Sequence, residues 1–383
     1  METDFIYSKY VTGKNFIGRK NDTVILGNLL RQGEDVVIYE PPKTGKTSLV
    51  QQTFFNMRIS GAQFTLVDFS LSNCRTVADF MMRLGSAVLR VCGSTPRDYG
   101  DLVAQYLQGT HFVFDEQLYS TRGQILSLNW DIDPDDVRAV ITLPWRIAEG
   151  TGQRMYVILD DFQNVMLTED GDKFCKTMEG IMKESGDERR QHASFIFCGS
   201  QVNAMKSIFE EKRYFWRQVE HFHLSTIEDK DICDAAIKLF LSGGKVTERD
   251  LIMGVCRLFR CNIWYINHFC SICNSLSKGY IMEPILEEAL TDILAIHEPR
   301  FKAIMADLTT YQICLLRAIL DGHTKFSSAE VIGHYNLNSS ANVRRLKDAL
   351  CKKEIVTFSE RDIPEIIDPL FEYWVGKYFF EIK

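Results

Sequence analysis

The feature that most constrains this fold is a seven-residue loop, PPKTGKT, between an apolar run and a helical pattern. The run Asp35–Tyr39 (DVVIY) is rich in β-branched residues and predicts a strand, and Lys46–Met57 predicts the helix that follows. A loop that ends in Gly-Lys-Thr between a strand and a helix is the expected context of a phosphate-binding loop. The sequence therefore predicts an α/β fold with a nucleotide site at this turn.

The loop supplies the groups that bind a triphosphate. Around Gly45 the backbone N–H groups can point inward, Lys46 can reach the outer phosphates, and the Thr47 hydroxyl can bind Mg²⁺. The helix N-terminus also favours an anion. We therefore expect ATP and Mg²⁺ as ligands. The predicted nucleotide-binding residues are Pro41, Pro42, Lys43, Thr44, Gly45, Lys46, Thr47 and Ser48. The usual pattern has a glycine where this chain has Glu40, a departure that concerns affinity rather than location.

A second motif is the apolar strand MYVILD, which ends in two acids, Asp160 and Asp161. An acid at the end of a strand adjacent to the phosphate loop holds Mg²⁺, usually through water, so Asp160 is the predicted metal residue beside Thr47. Asp161 is predicted to orient the attacking water, although glutamate is commoner there. The alternative is a strand that ends in a solvated acid pair.

A later strand, Ser194–Cys198, is followed by polar side chains. Ligands of open α/β sheets bind at the carboxyl edge of the strands, so Ser200 or Gln201 could sense the γ-phosphate. A plain turn accounts for the same residues.

Alternating strand and helix patterns organise residues 1–225 as the predicted ATPase core, interrupted by an insertion at 93–153. The predicted strands are Asp35–Tyr39, Ala62–Ser70, Tyr156–Leu159, Ser194–Cys198 and His221–Leu224. Residues 226–305 read as a helical subdomain. Residues 306–383 read as three helices and a short β-hairpin, which predicts a winged helix.

Composition excludes some classes of protein. The 383 residues carry 44 basic and 51 acidic side chains, a net charge of −7, so no basic field covers the whole protein. No window approaches the ~18 uninterrupted apolar residues of a membrane helix. The N-terminal residues 1–7 lack the apolar core of a secretory signal. Eleven scattered cysteines suit reduced thiols. We expect a cytoplasmic protein with no membrane partner, and packed thiols rather than a metal site at Cys270 and Cys273.

Three further segments, together with these motifs, resemble signatures of the archaeal-type ATPase family, a branch of the AAA+/STAND P-loop NTPases. They are Phe16–Arg19 (FIGR), Tyr214–Arg217 (YFWR) and Ile367–Trp374 (IDPLFEYW). The resemblance covers nearly the whole chain. It implies a P-loop NTPase parallel sheet with Walker A and Walker B elements, a helical lid over the nucleotide and a winged-helix module.

The resemblance also assigns roles to two arginines. It implies that Arg19 contacts the nucleotide region and that Arg217 contacts the terminal phosphates. The alternative for each is an ordinary surface ion pair. The predicted catalytic set is thus Lys46, Asp161, Arg217 and Ser200. The chain departs from the family pattern at Glu40, Asp161, Trp216 and the Cys261–Trp264 turn, which puts turnover in question more than nucleotide binding.

The helix predicted at Ser339–Lys352 is locally basic. Five basic residues and one acidic residue give the segment 338–353 a charge of +4, and its apolar spacing leaves Arg344, Arg345 and Lys347 exposed. Such a helix can enter a DNA major groove, but the acidic segment 360–383 opposes a long phosphate footprint. Duplex DNA and an unidentified protein are therefore the two candidate partners, the protein being favoured, and self-association stays open.

The sequence thus predicts an Mg²⁺-dependent ATPase that acts as a nucleotide-driven switch coupled to the winged helix. One alternative is a non-hydrolysing, nucleotide-gated module that binds protein or DNA. A second is a P-loop kinase, which the lack of an arginine-rich acceptor lid disfavours. A third is a DNA-binding regulator that ATP merely stabilises.

Overall fold

The computed structural model describes residues 5–186 and 188–382. Residues 1–4, which entered the prediction about a secretory signal, lie outside that part. Chain contacts divide the protein into two compact units. The α/β unit comprises residues 21–40 and 52–224, and the helical unit comprises the described residues of 1–20, 41–51 and 225–383.

The α/β unit is built on a five-stranded sheet with the order β2-β5-β6-β1-β7, in which every pairing is parallel. Its strands are β1 Asp35–Tyr39, β2 Thr65–Ser70, β5 Met155–Asp160, β6 Ala193–Gly199 and β7 Val219–His221. Its helices include α1 Lys20–Gln32 from its second residue, the part of α2 Lys46–Ile59 that begins at Gln52, α3 Val77–Arg90, α7 Gly171–Glu184, α8 Glu188–His192 and α9 Val202–Lys206. The first six residues of α2 belong to the helical unit. Strands β1 and β6 are buried along their whole length, which explains why they appear in the sequence as continuous apolar runs.

The last strand of this sheet lies earlier in the chain than the sequence pattern indicates. We expect His221–Leu224 from the sequence, but the register pairs Asp35 with Val219 and Val37 with His221. The pairing with β1 therefore begins two residues before the predicted start. The prediction of this strand's position was wrong because hydrogen bonding to β1, not the apolar pattern, sets the strand.

The insertion 93–153 has its own small framework. It contains α4 Pro96–Tyr106, β3 Phe112–Phe114, α5 Glu116–Arg122, β4 Leu126–Leu128 and α6 Pro134–Thr151, with β3 and β4 antiparallel. The Asp136 side chain, buried at the start of α6, accepts a hydrogen bond from the backbone N–H of His111 at 2.8 Å. The insertion is thus a folded part of the α/β unit, packed on α3 through Leu126.

The helical unit contains two helix groups. The first comprises α10 Asp229–Ser242, α11 Arg249–Leu258, α12 Ile263–Leu276 and the long α13 Glu283–Ala306, with the short parallel strands β8 Val246–Thr247 and β9 Tyr280–Ile281. The second comprises α14 Thr310–Leu320, α15 Ala329–His334, α16 Ser340–Lys352, the antiparallel β10 Val356–Phe358 and β11 Pro364–Ile366, and α17 Pro369–Trp374. One hydrophobic core runs through both groups, so the first helix group and the winged helix share packing.

The basic helix α16 corrects one expectation. Val343, Leu346 and Leu350 face the core as predicted, and Arg344 and Arg345 are exposed. Lys347 is not freely exposed, because its ammonium group pairs with Asp362 of the wing and lies 4.2 Å from the ring centroid of Phe358. The wing therefore neutralises one of the three predicted DNA contacts.

Cys270 and Cys273 are packed as predicted. All eleven lie in the described part of the chain and none forms a disulfide. Cys270 and Cys273 are buried in α12, and burial raises the pKa of the Cys273 thiol to about 12. Among the described residues, no helix combines the length and apolarity needed to cross a membrane.

Candidate nucleotide site

The phosphate loop in the helical unit is curled around one carbonyl group. Lys46 is buried and donates from Nζ to the Pro41 carbonyl at 2.9 Å, and Thr44 donates to the same oxygen from its hydroxyl at 2.9 Å. Lys43 and Gly45 have φ angles of 69° and 93°, so the loop turns through the left-handed region twice. Gly45 suits this conformation because it has no Cβ. These contacts give the loop a defined shape.

Arg19 holds the loop from outside. Its Nη1 donates to the Thr44 carbonyl at 2.6 Å, and its Nε donates to the Ser225 carbonyl at 2.7 Å. A Cβ at Gly45 would lie 3.2 Å from the same guanidinium group. The residue assigned to the nucleotide region by the FIGR segment therefore lies against the loop and binds its backbone.

A cavity of about 300 Å³ lies in the helical unit beside this loop. This volume is at the lower end of the range for small-molecule sites. Its lining combines the loop with the N-terminal segment, Ile227 and the start of α12. Among the lining residues are Tyr7, Tyr10, Val11, Ile17, Arg19, Lys43, Gly45, Lys46, Thr47, Ser48, Ile227, Ile263, Trp264 and Asn267. The lining thus combines apolar and aromatic side chains with the phosphate loop.

The N-terminal segment also lines this cavity, which was not predicted from the sequence. Val11 donates its backbone N–H to the Ser48 hydroxyl at 3.1 Å, and Asn267 donates to the Ile6 carbonyl at 3.0 Å. The ring of Tyr7 stacks on His268 with centroids 4.4 Å apart. The predicted nucleotide residue Ser48 therefore uses its hydroxyl to fix this segment. The one hint in the sequence is that this N-terminal segment lies directly before FIGR.

Lys43 contacts helix α12. Its Nζ lies 3.5 Å from the centroid of the Trp264 ring and 5.3 Å from that of Tyr265. Partial burial and the neighbouring Arg300 guanidinium lower the pKa of Lys43 to about 8, against the opposing effect of Asp368. Thr47 is exposed at the start of α2. Of the predicted loop residues, Lys43 thus has the most unusual surroundings.

In the α/β unit, the ends of β2, β5 and β6 bring several polar side chains together. The Asp161 carboxylate accepts hydrogen bonds at 3.3 Å from Ser70, Ser200 and Gln163, and its φ is 54°. Asp160 accepts from the backbone N–H of Asp161 at 3.0 Å. The predicted pair Asp161 and Ser200 is therefore in direct contact, and Ser70 is a neighbour that the sequence did not reveal.

Three other predicted positions lie elsewhere in this unit. Glu40, the departure from the loop pattern, accepts from the backbone N–H of Leu224 at 3.3 Å, with His223 Nδ1 3.8 Å away. Arg217 is exposed in the turn before β7 and has a φ of 60°. Gln201 precedes α9 and is exposed. The Glu40 carboxylate thus has its own partners within the sheet unit.

Comparisons with known proteins bear on the fold. Residues 299–377 match a family described as a probable winged helix domain. The Walker-type ATPase of Pyrococcus abyssi is 12% identical, covers 96% of this chain and 98% of its own, and superposes with a TM-score of 0.67. The ORC2 protein of Aeropyrum pernix, solved in ADPNP and ADP complexes, is 13% identical, covers 94% of this chain and 93% of its own, and gives a TM-score of 0.57. No curated protein sequence matches this chain.

At these identities the solved structures establish the fold. The chain has the fold of the P-loop ATPases, with a mixed α/β core and a C-terminal winged-helix domain. Within that class its architecture is that of the archaeal Walker-type and ORC ATPases, so the predicted resemblance is confirmed at the level of the fold.

Proposed function

We propose that this protein binds ATP with Mg²⁺, hydrolyses it and uses the nucleotide to change the arrangement of its lid and winged-helix domain. The observation that carries the proposal is the cavity lined by Gly45, Lys46 and Thr47 together with an apolar wall. A phosphate loop alone binds an anion, whereas a phosphate loop beside an apolar cavity suits a nucleotide with a base.

The cavity divides naturally between the parts of ATP. The purine base would lie against the apolar residues Ile17, Ile227 and Ile263, and the phosphates would lie on the loop amides and Lys46. Lys46 already points at the loop, where it donates to the Pro41 carbonyl. An incoming phosphate would replace that carbonyl as a stronger, charged acceptor.

The residues also fit Mg²⁺. The hydroxyl of Thr47 and the carboxylate of Asp160 are oxygen donors, the type that this hard cation prefers, and few protein ligands are needed because water and phosphates complete the set. We assign Thr47 and Asp160 to the metal. The ion would neutralise charge on the phosphate oxygens.

Hydrolysis would depend on a fixed carboxylate. Asp161 would accept a hydrogen bond from the attacking water, and its contacts with Ser70, Ser200 and Gln163 would hold it in one orientation. Arg217 is exposed in the α/β unit, where a guanidinium could reach terminal phosphates from its own or a neighbouring subunit. Self-association is therefore part of the proposal.

The test measures ATP binding and phosphate release separately. Isothermal titration of wild type and Lys46→Ala with Mg·ATP should show binding in the first and at least a tenfold weaker association in the second. Lys14→Ala, an exposed lysine outside the cavity lining, is the matched control. Equal ATP affinity in Lys46→Ala and wild type would overturn the proposal.

A second candidate is a nucleotide-gated module that does not hydrolyse ATP. Asp161 favours it, because the side chain is one methylene shorter than the usual glutamate and is already engaged by three side chains. ATP binding without phosphate release, in the presence of Mg²⁺ and across temperature, would decide for this candidate.

The partner of the switch would bind the winged helix. We retain the boundaries 1–225, 226–305 and 306–383 as the proposed domains. An unidentified protein is the favoured partner of the last one, and duplex DNA, contacted by Arg344 and Arg345, is the alternative. The neutralised Lys347 reduces the footprint available to DNA.

A further inference from the structure

The phosphate loop carries a second lysine whose charge is held in an unusual place. Lys43 Nζ lies over the Trp264 ring, 3.5 Å from its centroid, and both residues line the same cavity as Gly45 and Lys46. An ammonium group over an indole face is attracted by the ring, but the ring provides no hydrogen-bond acceptor for its N–H groups. The ammonium group of Lys43 is thus held at the cavity wall by an aromatic ring, which is a weaker partner than a charged acceptor.

The groups around Lys43 make this position cationic rather than balanced. Arg300 lies close enough to oppose the charge of Lys43, while Asp368 supports it. Asp368 is itself shared, because it accepts from Arg300 at 2.5 Å and from the Tyr265 hydroxyl at 2.9 Å. One carboxylate therefore serves two cations, and an anion in the cavity would relieve the excess positive charge.

The two imidazoles beside this cluster do not alter its excess of positive charge. His268 and His297 both have lowered pKa values, because burial and then the charge of Lys43 disfavour the imidazolium, and that of His297 falls to about 4. Within the described chain, His268 Nδ1 and His297 Nε2 are buried without hydrogen-bond partners. Two neutral rings thus pack against Trp264, and the positive charge of this part of the cavity wall comes from Lys43 and Arg300.

We infer that Lys43 is a second phosphate-binding side chain. When a nucleoside triphosphate enters the cavity, the Lys43 ammonium group moves from the Trp264 ring to the terminal phosphates. This inference rests on the proposed function, and it assigns a role in selecting the phosphate length to a loop position that the motif leaves open. A phosphate offers a charged acceptor, and an ammonium–phosphate contact is stronger than an ammonium–indole contact. Trp264 would then be uncovered, and its fluorescence would report the exchange.

The move of the Lys43 ammonium group from Trp264 to a phosphate would also affect the winged-helix domain. Trp264 and Tyr265 are neighbours at the start of α12, and Tyr265 binds Asp368. Asp368 caps α17 by accepting from the backbone N–H groups of Leu370 and Phe371. Movement of the Lys43 charge would therefore change the field at a residue that holds the last helix of that domain.

The experiment compares ATP, ADP and AMP. Titration calorimetry on wild type, Lys43→Met and the surface control Lys14→Met should show ATP binding weakened about tenfold in Lys43→Met, ADP less and AMP unchanged. Lys43→Arg should keep most of the ATP affinity because it keeps the charge. A Lys43→Met variant that binds ATP, ADP and AMP as wild type does would overturn the inference and leave the proposed function intact.

Fluorescence gives an independent readout should Lys43→Met fail to fold. ATP should change the intrinsic fluorescence of wild type, and Trp264→Phe, measured at an ATP concentration that calorimetry shows to saturate it, should lose that change. A signal that persists in Trp264→Phe would contradict the inference. If wild type binds no ATP, the proposed function and the inference fail together, so the two failures are distinguishable.

Discussion

Arg19 donates from Nη1 to the carbonyl of Thr44 at 2.6 Å, and from Nε to the carbonyl of Ser225 at 2.7 Å. One guanidinium group thus links the FIGR segment, the phosphate loop and the segment that leads into α10. Its geometry fixes the loop backbone that would face the phosphates, so we interpret Arg19 as a positioning residue.

We expect Arg19→Ala to weaken ATP binding by about 1–2 kcal/mol, since hydrogen bonds from a charged donor contribute on that scale. The midpoint of thermal unfolding should also fall by a few degrees. Arg19→Lys should restore less than half of the loss because one ammonium group cannot span both carbonyls. Calorimetry measures the binding, with Arg344→Ala as an exposed-arginine control. An unchanged ATP affinity in Arg19→Ala would contradict this role.

The contact between Asp161 and Ser200 makes a prediction about turnover. If Asp161 orients water, Asp161→Asn should reduce phosphate release at least 100-fold, in the range that positioned acid–base groups contribute. ATP affinity should stay within a few-fold of wild type. Ser200→Ala, which removes one of three hydrogen bonds to the carboxylate, should reduce release only a few-fold. A normal rate in Asp161→Asn would assign the orientation of water to another group.

The lowered pKa of Lys43 predicts that this lysine reacts selectively with amine-directed reagents. Because burial and Arg300 bring this pKa to about 8, the amine is half-neutral at a pH where an ordinary lysine is protonated. Labelling with an amine-reactive reagent at pH 8, followed by mass spectrometry, should modify Lys43 ahead of Lys14. Asp368→Asn should enhance the labelling, since Asp368 raises the pKa of Lys43. Equal labelling of the two lysines at every pH would exclude the shift.

The lowered pKa of Lys43 also makes the stability of the protein depend on pH. Between pH 8 and the unfolded value near 10.5, the unfolded chain holds this proton and the folded chain does not. The contribution of Lys43 to the free energy of unfolding therefore rises with pH over that window. Denaturant unfolding at pH 8 and pH 10 should show a smaller gain in Lys43→Met than in wild type.

A buried ion pair gives a test of the sheet unit alone. Arg189 Nη1 lies 2.6 Å from Asp35 Oδ2, both side chains are buried, and Asp35 also accepts from the backbone N–H of Phe195 at 2.7 Å. Arg189→Met should destabilise the fold by about 3–5 kcal/mol because it leaves a buried carboxylate without its cation. The double variant Asp35→Asn/Arg189→Met should recover part of this loss in denaturant unfolding. No recovery would mean that packing, not charge, dominates.

The sequence predicted those parts of the fold that depend on local pattern. Strands β1 and β6 are buried throughout, so their apolar runs were sufficient, and the loop motif identified Lys46. The predicted position of β7 was wrong because cross-strand hydrogen bonding sets where this strand begins. The neighbours Trp264 and Lys43 are far apart in sequence, and the Tyr7–His268 stack joins distant segments. No periodicity encodes such contacts, because they arise from tertiary packing.

Two exposed arginines of the winged helix can distinguish between its two candidate partners, duplex DNA and a protein. Arg344 and Arg345 are the exposed members of the predicted contact set, because Lys347 is paired with Asp362. If the helix binds duplex DNA, Arg344→Ala/Arg345→Ala should weaken binding at low salt and reduce the slope of log K against log [salt] by about 2, one unit for each lost phosphate contact. Its ATP affinity should equal that of wild type. A duplex affinity that the double variant leaves unchanged at both salt concentrations would assign the exposed arginines to a protein partner.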